Sequence, residues 1–303
     1  MPAIEINDLT KRYGSVTAVE ELSLSVERGE VFGFLGPNGA GKTTTINVML
    51  DFTSPTSGGV RLFGEDVHEN SVSVRQRSGL LLEGYGVYPR LSAREHVEHA
   101  IATKDAADDP DELLDRVALG DAADRRAGTF SKGMAQRLAI AMAIVGEPDL
   151  LVFDEPTTGL DPNGARLLRD IVRAQADRGA TVFFSSHILS QVEAVADRIG
   201  ILRSGRLETV GPIDELESEL GGRTRLELQL EQVTDELLET IRALAGVSAV
   251  RTENNRIKIK CRDDAETKLR VLNTAAETSQ LVDFATNDSQ LDDVFSAVTE
   301  VSP

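Results

Sequence analysis

Apolar and polar residues alternate from residue 3 to about residue 35, with turn signals at Tyr13-Gly14 and Arg28-Gly29, a pattern that predicts antiparallel strands. The run from Glu30 to Leu35 is nearly all apolar and reads as a buried strand. It ends in a glycine-rich stretch, Gly36 to Thr44, after which Ile46, Met49 and Leu50 recur at helical spacing. From about Leu91 to Val145 the chain turns helical: Ser92 with Glu95 forms a capping box, Asp111 to Leu119 is a short amphipathic segment, and Ser131 can cap a further helix. Next come a buried strand, Leu150 to Phe153, a helix opened by Asp161-Pro162 and closed at Gly179, and a strand, Thr181 to Phe184. This alternation predicts a parallel central sheet. Ile199 to Val210 reads as a hairpin turning at Ser204-Gly205, and Pro212 to Leu220 as a helix, before Gly221-Gly222 punctuates the chain.

The pattern then changes to strand (Arg225 to Leu230), helix (Val233 to Leu244), hairpin (turning at Asn254-Asn255), helix (Ala265 to Ala276), strand (Leu281 to Ala285) and helix (Leu291 to Val298). Two domains are expected, residues 1–220 and a small α+β domain over 222–303. The second has no phosphate loop and no cluster of candidate catalytic residues, so regulation, dimerisation or partner docking is its expected task.

Composition adds exclusions. The 303 residues carry a formal charge of −18, and seven lysines stand beside twenty-five arginines. So acidic a chain is not drawn passively to nucleic acid or to an anionic lipid surface. Carboxylates in excess with few ammonium groups suggest a salt-rich cytosol, where a Debye length of roughly 3 Å at molar salt screens their self-repulsion. The single cysteine, Cys261, allows neither an internal disulfide nor a cysteine-built zinc site. The start lacks a signal-peptide pattern, and the best apolar run, Leu138 to Val145, falls far below the roughly 20 residues that cross a bilayer, so a cytoplasmic chain is expected.

The candidate chemistry lies in the first domain. Gly36 to Thr43 fits G-x-x-x-x-G-K-[ST] between a strand and a helix, where glycines let backbone N–H groups converge on phosphate oxygens. Lys42 is expected to reach the β- and γ-phosphates and the Thr43 hydroxyl to ligate Mg²⁺. Asp154, at the carboxyl end of a buried strand, supplies a carboxylate for the metal shell, and the adjacent Glu155 can orient and polarise a water. His187, just after Ser185-Ser186 at the same sheet edge, can donate to the γ-phosphate or to the attacking water. His68, His96 and His99 fall in predicted loop or helix surface and are assigned no role.

The phosphate loop, the Leu150 to Glu155 box, Thr158 to Asp161 after it, Ser131 to Gln136 before it and the terminal histidine together resemble the ATP-binding subunit of an ABC transporter, over residues 1 to about 215. The resemblance implies an α/β P-loop NTPase of ABC type: a mixed central sheet, antiparallel N-terminal strands and a helical subdomain at about 85–145. It implies an ATPase that uses ATP and Mg²⁺ and works as a head-to-tail homodimer. Each ATP then lies between the loop of one copy (Gly36, Pro37, Asn38, Gly39, Ala40, Gly41, Lys42, Thr43, Thr44) and Ser131 and Gly133 of the other. Tyr13 is implied to stack on adenine and Asp161 to link the two sites. A separate membrane-spanning permease is the implied partner, docked over Glu83 to about Arg94, with the chain peripheral on the cytoplasmic face of the membrane.

Two positions depart from the family pattern. The signature, usually LSGGQ, is Phe130 to Met134 here, with Lys132 for a glycine and Met134 for the glutamine. Glu83 stands where the family commonly has a glutamine that touches the metal, and a carboxylate can accept the metal but cannot donate a hydrogen bond. The tail, ending in Leu291 to Phe295, resembles the extension of ATPase subunits that serve drug, polysaccharide or sodium exporters. The competing reading is a soluble ABC-type ATPase without a permease. Such proteins usually pair two nucleotide domains in one chain or insert long coiled coils, and neither pattern is found in this sequence.

Overall fold

The N-terminal alternation folds into β1 (Ile4–Tyr13) and β2 (Val16–Val26), paired antiparallel with Ile4 opposite Val26 and Ile6 opposite Leu24. One face of this pair is buried, as period-two patterning requires. In β3 (Val31–Leu35) every residue is buried, and the strand belongs to a different sheet. The computed structural model describes residues 1–84, 86–213, 215–216, 223–253, 255–262, 264–278 and 281–287. They fall into two compact units, Met1–Ile213 and Asp214–Pro303. This division lies earlier than the expected Gly221-Gly222 boundary, which is outside the described residues. It falls where the last strand of the central sheet ends at Pro212.

The rest of the first unit runs α1 (Lys42–Met49), β4 (Ser57–Leu62), β5 (Glu65–Asp66), α2 (Ser71–Gln76), β6 (Ser78–Leu81), α3 (Ala93–Lys104), α4 (Pro110–Arg116) and α5 (Lys132–Ala143). It continues through β7 (Leu150–Asp154), α6 (Pro162–Asp177), β8 (Thr181–Ser186), α7 (Leu189–Glu193), β9 (Arg198–Arg203) and β10 (Arg206–Pro212). The central sheet has the order β10-β9-β3-β8-β7-β6, parallel from β9 to β6, with β10 added antiparallel by the expected hairpin at Ser204-Gly205. It is therefore mixed. A second sheet, β2-β1-β4-β5, is wholly antiparallel. Phe32 and Phe34 meet Phe183 at ring centroids of 5.8 and 5.2 Å, filling the core that β1, β2, α1 and β4 share. No helix among the described residues is long and apolar enough to cross a membrane.

Helices α3, α4 and α5 pack on one another as the helical subdomain. The Ser92–Glu95 capping box is present, Asp109 caps α4, and Ser131 caps α5 through the Met134 N–H. His96 departs from expectation. It is buried, not on the helix surface, and its ring bridges the Tyr88 N–H at 2.8 Å and the Ser92 carbonyl at 2.7 Å. A carbonyl accepts and an N–H donates, so Nδ1 carries the proton and Nε2 is the acceptor. His96 thus pins the segment that leads from Glu83 into α3.

The second unit places α8 (Asp235–Arg242) and α9 (Ala265–Thr278) among β11 (Arg223–Leu230), β12 (Val247–Glu253), β13 (Arg256–Arg262) and β14 (Leu281–Asn287). The chain order βαββαβ and the antiparallel sheet order β12-β13-β11-β14 form a ferredoxin-like arrangement. Leu226, Leu228 and Leu230 alternate into its core with Leu237, Ile241, Ile257, Ile259 and the buried Cys261. The helix expected over Leu291 to Val298 lies outside the described residues, as does most of the one expected over Pro212 to Leu220.

Lys104, at the end of α3, donates to the carbonyls of Arg75, Gln76 and Ser78 at 2.9, 2.8 and 2.5 Å. Two of these close α2, and the third opens β6, the strand that leads to Glu83. Burial pushes the Lys104 ammonium's pKa down, so the three acceptors offset only part of its desolvation. Lys104→Met is expected to lower the unfolding free energy in urea by about 1–3 kcal/mol, because three carbonyls lose a shared donor.

Candidate functional site

A cavity of about 410 Å³ opens at the carboxyl edge of the central sheet. Pro37, Asn38, Gly39, Gly41, Lys42, Thr43 and Thr44 line it, with Ala18, Glu83 and Glu155. Two glycines are dictated by crowding. At Gly41, φ is +112° and a Cβ would stand 2.5 Å from the Ala18 carbonyl oxygen; at Gly36 it would stand 2.5 Å from that of Leu202. The loop is therefore wedged against neighbouring backbone, and Ala40 is buried behind it. Helix α1 begins at Lys42 with no side chain capping it, so its first N–H groups are free to meet an anion.

Lys42 is only 6% exposed. Its ammonium donates to the Gly36 and Pro37 carbonyls at 2.7 and 3.4 Å and lies 3.3 Å from Glu155 Oε1. A phosphate oxygen can replace these neutral carbonyls with a stronger, charged acceptor. Thr43 Oγ1 donates to Asp154 Oδ2 at 2.8 Å, which brings together the hydroxyl and the carboxylate expected at a metal. The other Asp154 oxygen accepts from Ser185 Oγ at 2.5 Å. Ser185 Oγ and the Ser185 carbonyl in turn both accept from the Glu155 N–H at 3.2 Å.

Glu155 is buried, and its backbone is left-handed at φ +49°. Its Oε2 accepts from His187 Nδ1 at 2.9 Å. Its Oε1 touches Lys42, yet it is the one buried side-chain polar atom among the described residues with no hydrogen-bond donor. The Lys42 contact is Coulombic, without hydrogen-bond geometry, so Oε1 keeps a lone pair for a water. With Nδ1–H given to Glu155, a neutral His187 presents Nε2 as an acceptor. Donation to a phosphate requires a second ring proton or a turn away from Glu155.

The remaining predicted residues do not line this cavity. Ser131 and Gly133 stand at the start of α5, and Asp161 caps α6 by accepting from the Gly164 N–H at 2.7 Å. Tyr13 is half exposed at the end of β1, with the Lys11 ammonium 4.8 Å from its ring centre, while Ala18 forms the wall beside the loop. Sequence reasoning missed Ser185 and Ser186 as anchors, Gln191 as the acceptor for Ser186, and Gln136, which reaches the Pro156 carbonyl. The Ser-Ser pair directly before His187 was the available signal, since small hydroxyls closing an apolar strand are placed to bond backbone or side chains there.

A strand, an uncapped helix start and a glycine loop between them, with an acidic pair at the end of a second parallel strand and β8 lying between the two strands in the sheet, define a P-loop nucleoside triphosphatase. Comparison narrows the class. The family model described as ABC transporter matches residues 19–158. The bacitracin transport ATP-binding protein BcrA of Bacillus licheniformis is 42% identical over 75% of this chain and 74% of its own length. The daunorubicin/doxorubicin resistance ATP-binding protein DrrA of Streptomyces peucetius is 38% identical over 98% of this chain and 92% of its own. A solved ATP-binding subunit of an ABC transporter superposes with a TM-score of 0.67 at 30% identity, covering 72% of this chain and 92% of that one. The chain belongs to the ABC transporter family as an ATP-binding, ATP-hydrolysing subunit.

Ser185→Ala removes the donor to Asp154 and one acceptor of the Glu155 N–H. Steady-state assays are expected to show kcat falling on the order of tenfold through misplacement of both carboxylates, with KM for ATP little changed.

Proposed function

We propose that the chain drives a separate membrane-spanning permease, as an exporter, by closing with a second copy of itself around two MgATP molecules and reopening after hydrolysis. Ser131, Gly133 and Asp161 lie away from the phosphate cavity, which supports their service to the partner's nucleotide in a head-to-tail pair. The relatives that handle bacitracin and daunorubicin support export. The region from Glu83 to Arg94 suits permease docking. Tyr88 is 63% exposed on a segment held by His96, and Arg94 is braced by Asp111 and Asp124 at 2.6 and 3.0 Å, which raises its pKa.

Glu155 Oε1, which has an ion-pair contact with Lys42 but no hydrogen-bond donor, carries the catalytic part of this reading. A buried carboxylate oxygen without a donor, on a residue lining the phosphate cavity, is suited to accept a proton from water. His187 orients that carboxylate, Lys42 and the α1 amides hold the phosphates, and Tyr13 receives the adenine. Among the described residues no three His, Cys, Asp or Glu side chains cluster as a ready metal site. The oxygen donors at Thr43, Asp154 and Glu83 nonetheless fit Mg²⁺, which keeps waters and takes phosphate oxygens for the rest of its shell. When bound, the ion would neutralise charge developing on the phosphates. The chain thereby operates peripherally at the membrane through its permease, and its acidic surface suits a salt-rich cytosol.

Glu155→Gln is expected to cut turnover by about a hundredfold or more and to trap an ATP-bound dimer on gel filtration. Turnover per molecule is expected to rise with protein concentration, whereas a flat dependence would exclude a shared site. Thermal unfolding followed from dilute buffer to multimolar KCl is expected to move to higher temperature; maximal stability in dilute buffer would reject the salt adaptation.

A further inference from the structure

Between Glu155 and Asp161 the chain passes through Pro156, Thr157 and Thr158, and two glutamines hold this passage. Gln136 of α5 donates through Nε2 to the Pro156 carbonyl at 2.8 Å. On the other side, Gln191 of α7 offers Oε1 to two hydroxyls at once: the Thr157 hydroxyl, in a short bond, and the Ser186 hydroxyl at 3.2 Å. Ser186 Oγ in turn accepts from the Ile188 N–H at 3.0 Å. One carboxamide oxygen thus reaches the residue two places after Glu155 and the residue just before His187. The bond from Ile188 fixes the backbone on the far side of the histidine as well.

We propose that Gln191 is the positioning residue that sets His187 against Glu155. His187 is 43% exposed and Glu155 8%, so the 2.9 Å contact between them joins a solvent-facing ring to a buried carboxylate. Little packing holds such a ring, and its direction depends on the backbone that bears it. That backbone is fixed at Ser186 and Ile188 through the Ser186 hydroxyl, which terminates on Gln191. Two hydroxyl donors require an acceptor there, and a neutral amide provides it without adding a charge to Asp154 and Glu155 near a triphosphate. The role of Gln191 rests on the reading of Glu155 and His187 as the hydrolytic pair.

The test compares Gln191→Leu, Gln191→Glu and Thr157→Val with His187→Ala and Glu155→Gln in the full-length protein, by steady-state ATP hydrolysis and by binding of a fluorescent ATP analogue. Gln191→Leu is expected to lower kcat on the order of tenfold with analogue affinity and KM unchanged, since the phosphate loop is untouched. Gln191→Glu keeps an acceptor but adds a charge, and is expected to retain more of the rate than Gln191→Leu. Thr157→Val removes the other hydroxyl that holds Gln191 Oε1 in place and is expected to lower kcat in the same direction, which covers the case of a poorly folding Gln191→Leu. In the double variant with His187→Ala, the loss is expected not to exceed the larger single loss, because both changes disable one contact. A wild-type kcat in Gln191→Leu, an equal rise in KM, or losses that multiply in the double variant would overturn the proposal. Full activity in both Glu155→Gln and His187→Ala would instead overturn the reading on which it rests.

Discussion

The structure of the site depends on one carboxylate. Asp154 closes β7 at the nucleotide edge of the sheet, accepting from Thr43 with one oxygen and from Ser185 with the other. Those two donors come from the helix after the glycine loop and from the neighbouring parallel strand, so a single side chain ties the helix start to two strands that the sheet already holds in register. Hydrogen bonds to a charged acceptor are worth about 1.5–3 kcal/mol each, comparable to burying a large apolar side chain. Everything else at the edge takes its position from this junction. Ser185 passes it to the Glu155 backbone, and Glu155 passes it to Lys42 and His187.

Much of this was legible in the sequence because the chemistry acts over short stretches. Gly36 to Thr44 declares its loop since crowding by Ala18 and Leu202 backbone admits only glycine at two positions. Ser92, Ser131 and Asp161 declare helix starts because their side chains cap amides two or three residues on. Long-range relations were not legible. Strand β4 was missed because Ser57-Gly58-Gly59 has weak strand propensity and is held by pairing with β1. His96 was mistaken for surface because its Nε2 is engaged by the Tyr88 N–H, eight residues upstream across a turn, which no local pattern reveals. The ties from Ser185 and Gln191 cross some thirty residues and follow no periodicity, so only the folded sheet edge brings them together. The ferredoxin-like order of the second unit was legible as an alternation of elements but not as a strand order, since pairing of β11 with both β13 and β14 is a tertiary fact.

The scarcity of lysine gains meaning from where the four in the first unit stand. Lys42 lies in the phosphate cavity, and Lys104 gathers three carbonyls at the foot of the helical subdomain. Lys11 donates to the Ser54 carbonyl beside the Tyr13 ring, and the stem of Lys132 lies over Gly159, where an added Cβ would meet it at 2.6 Å. Each ammonium has a definite place, and the arginines supply the surface ion pairs. A compact cation with three donors is the better hub for converging carbonyls, whereas the planar guanidinium suits carboxylates.

The left-handed backbone at Glu155 has an evolutionary corollary. A glutamate held at φ +49° carries a conformational cost of order 1 kcal/mol or more that glycine would avoid and asparagine would reduce. Thermodynamic selection on this polypeptide therefore pulls against the side chain proposed to serve its turnover. In lineages released from that requirement, the position offers an easy route to sturdier but inert descendants.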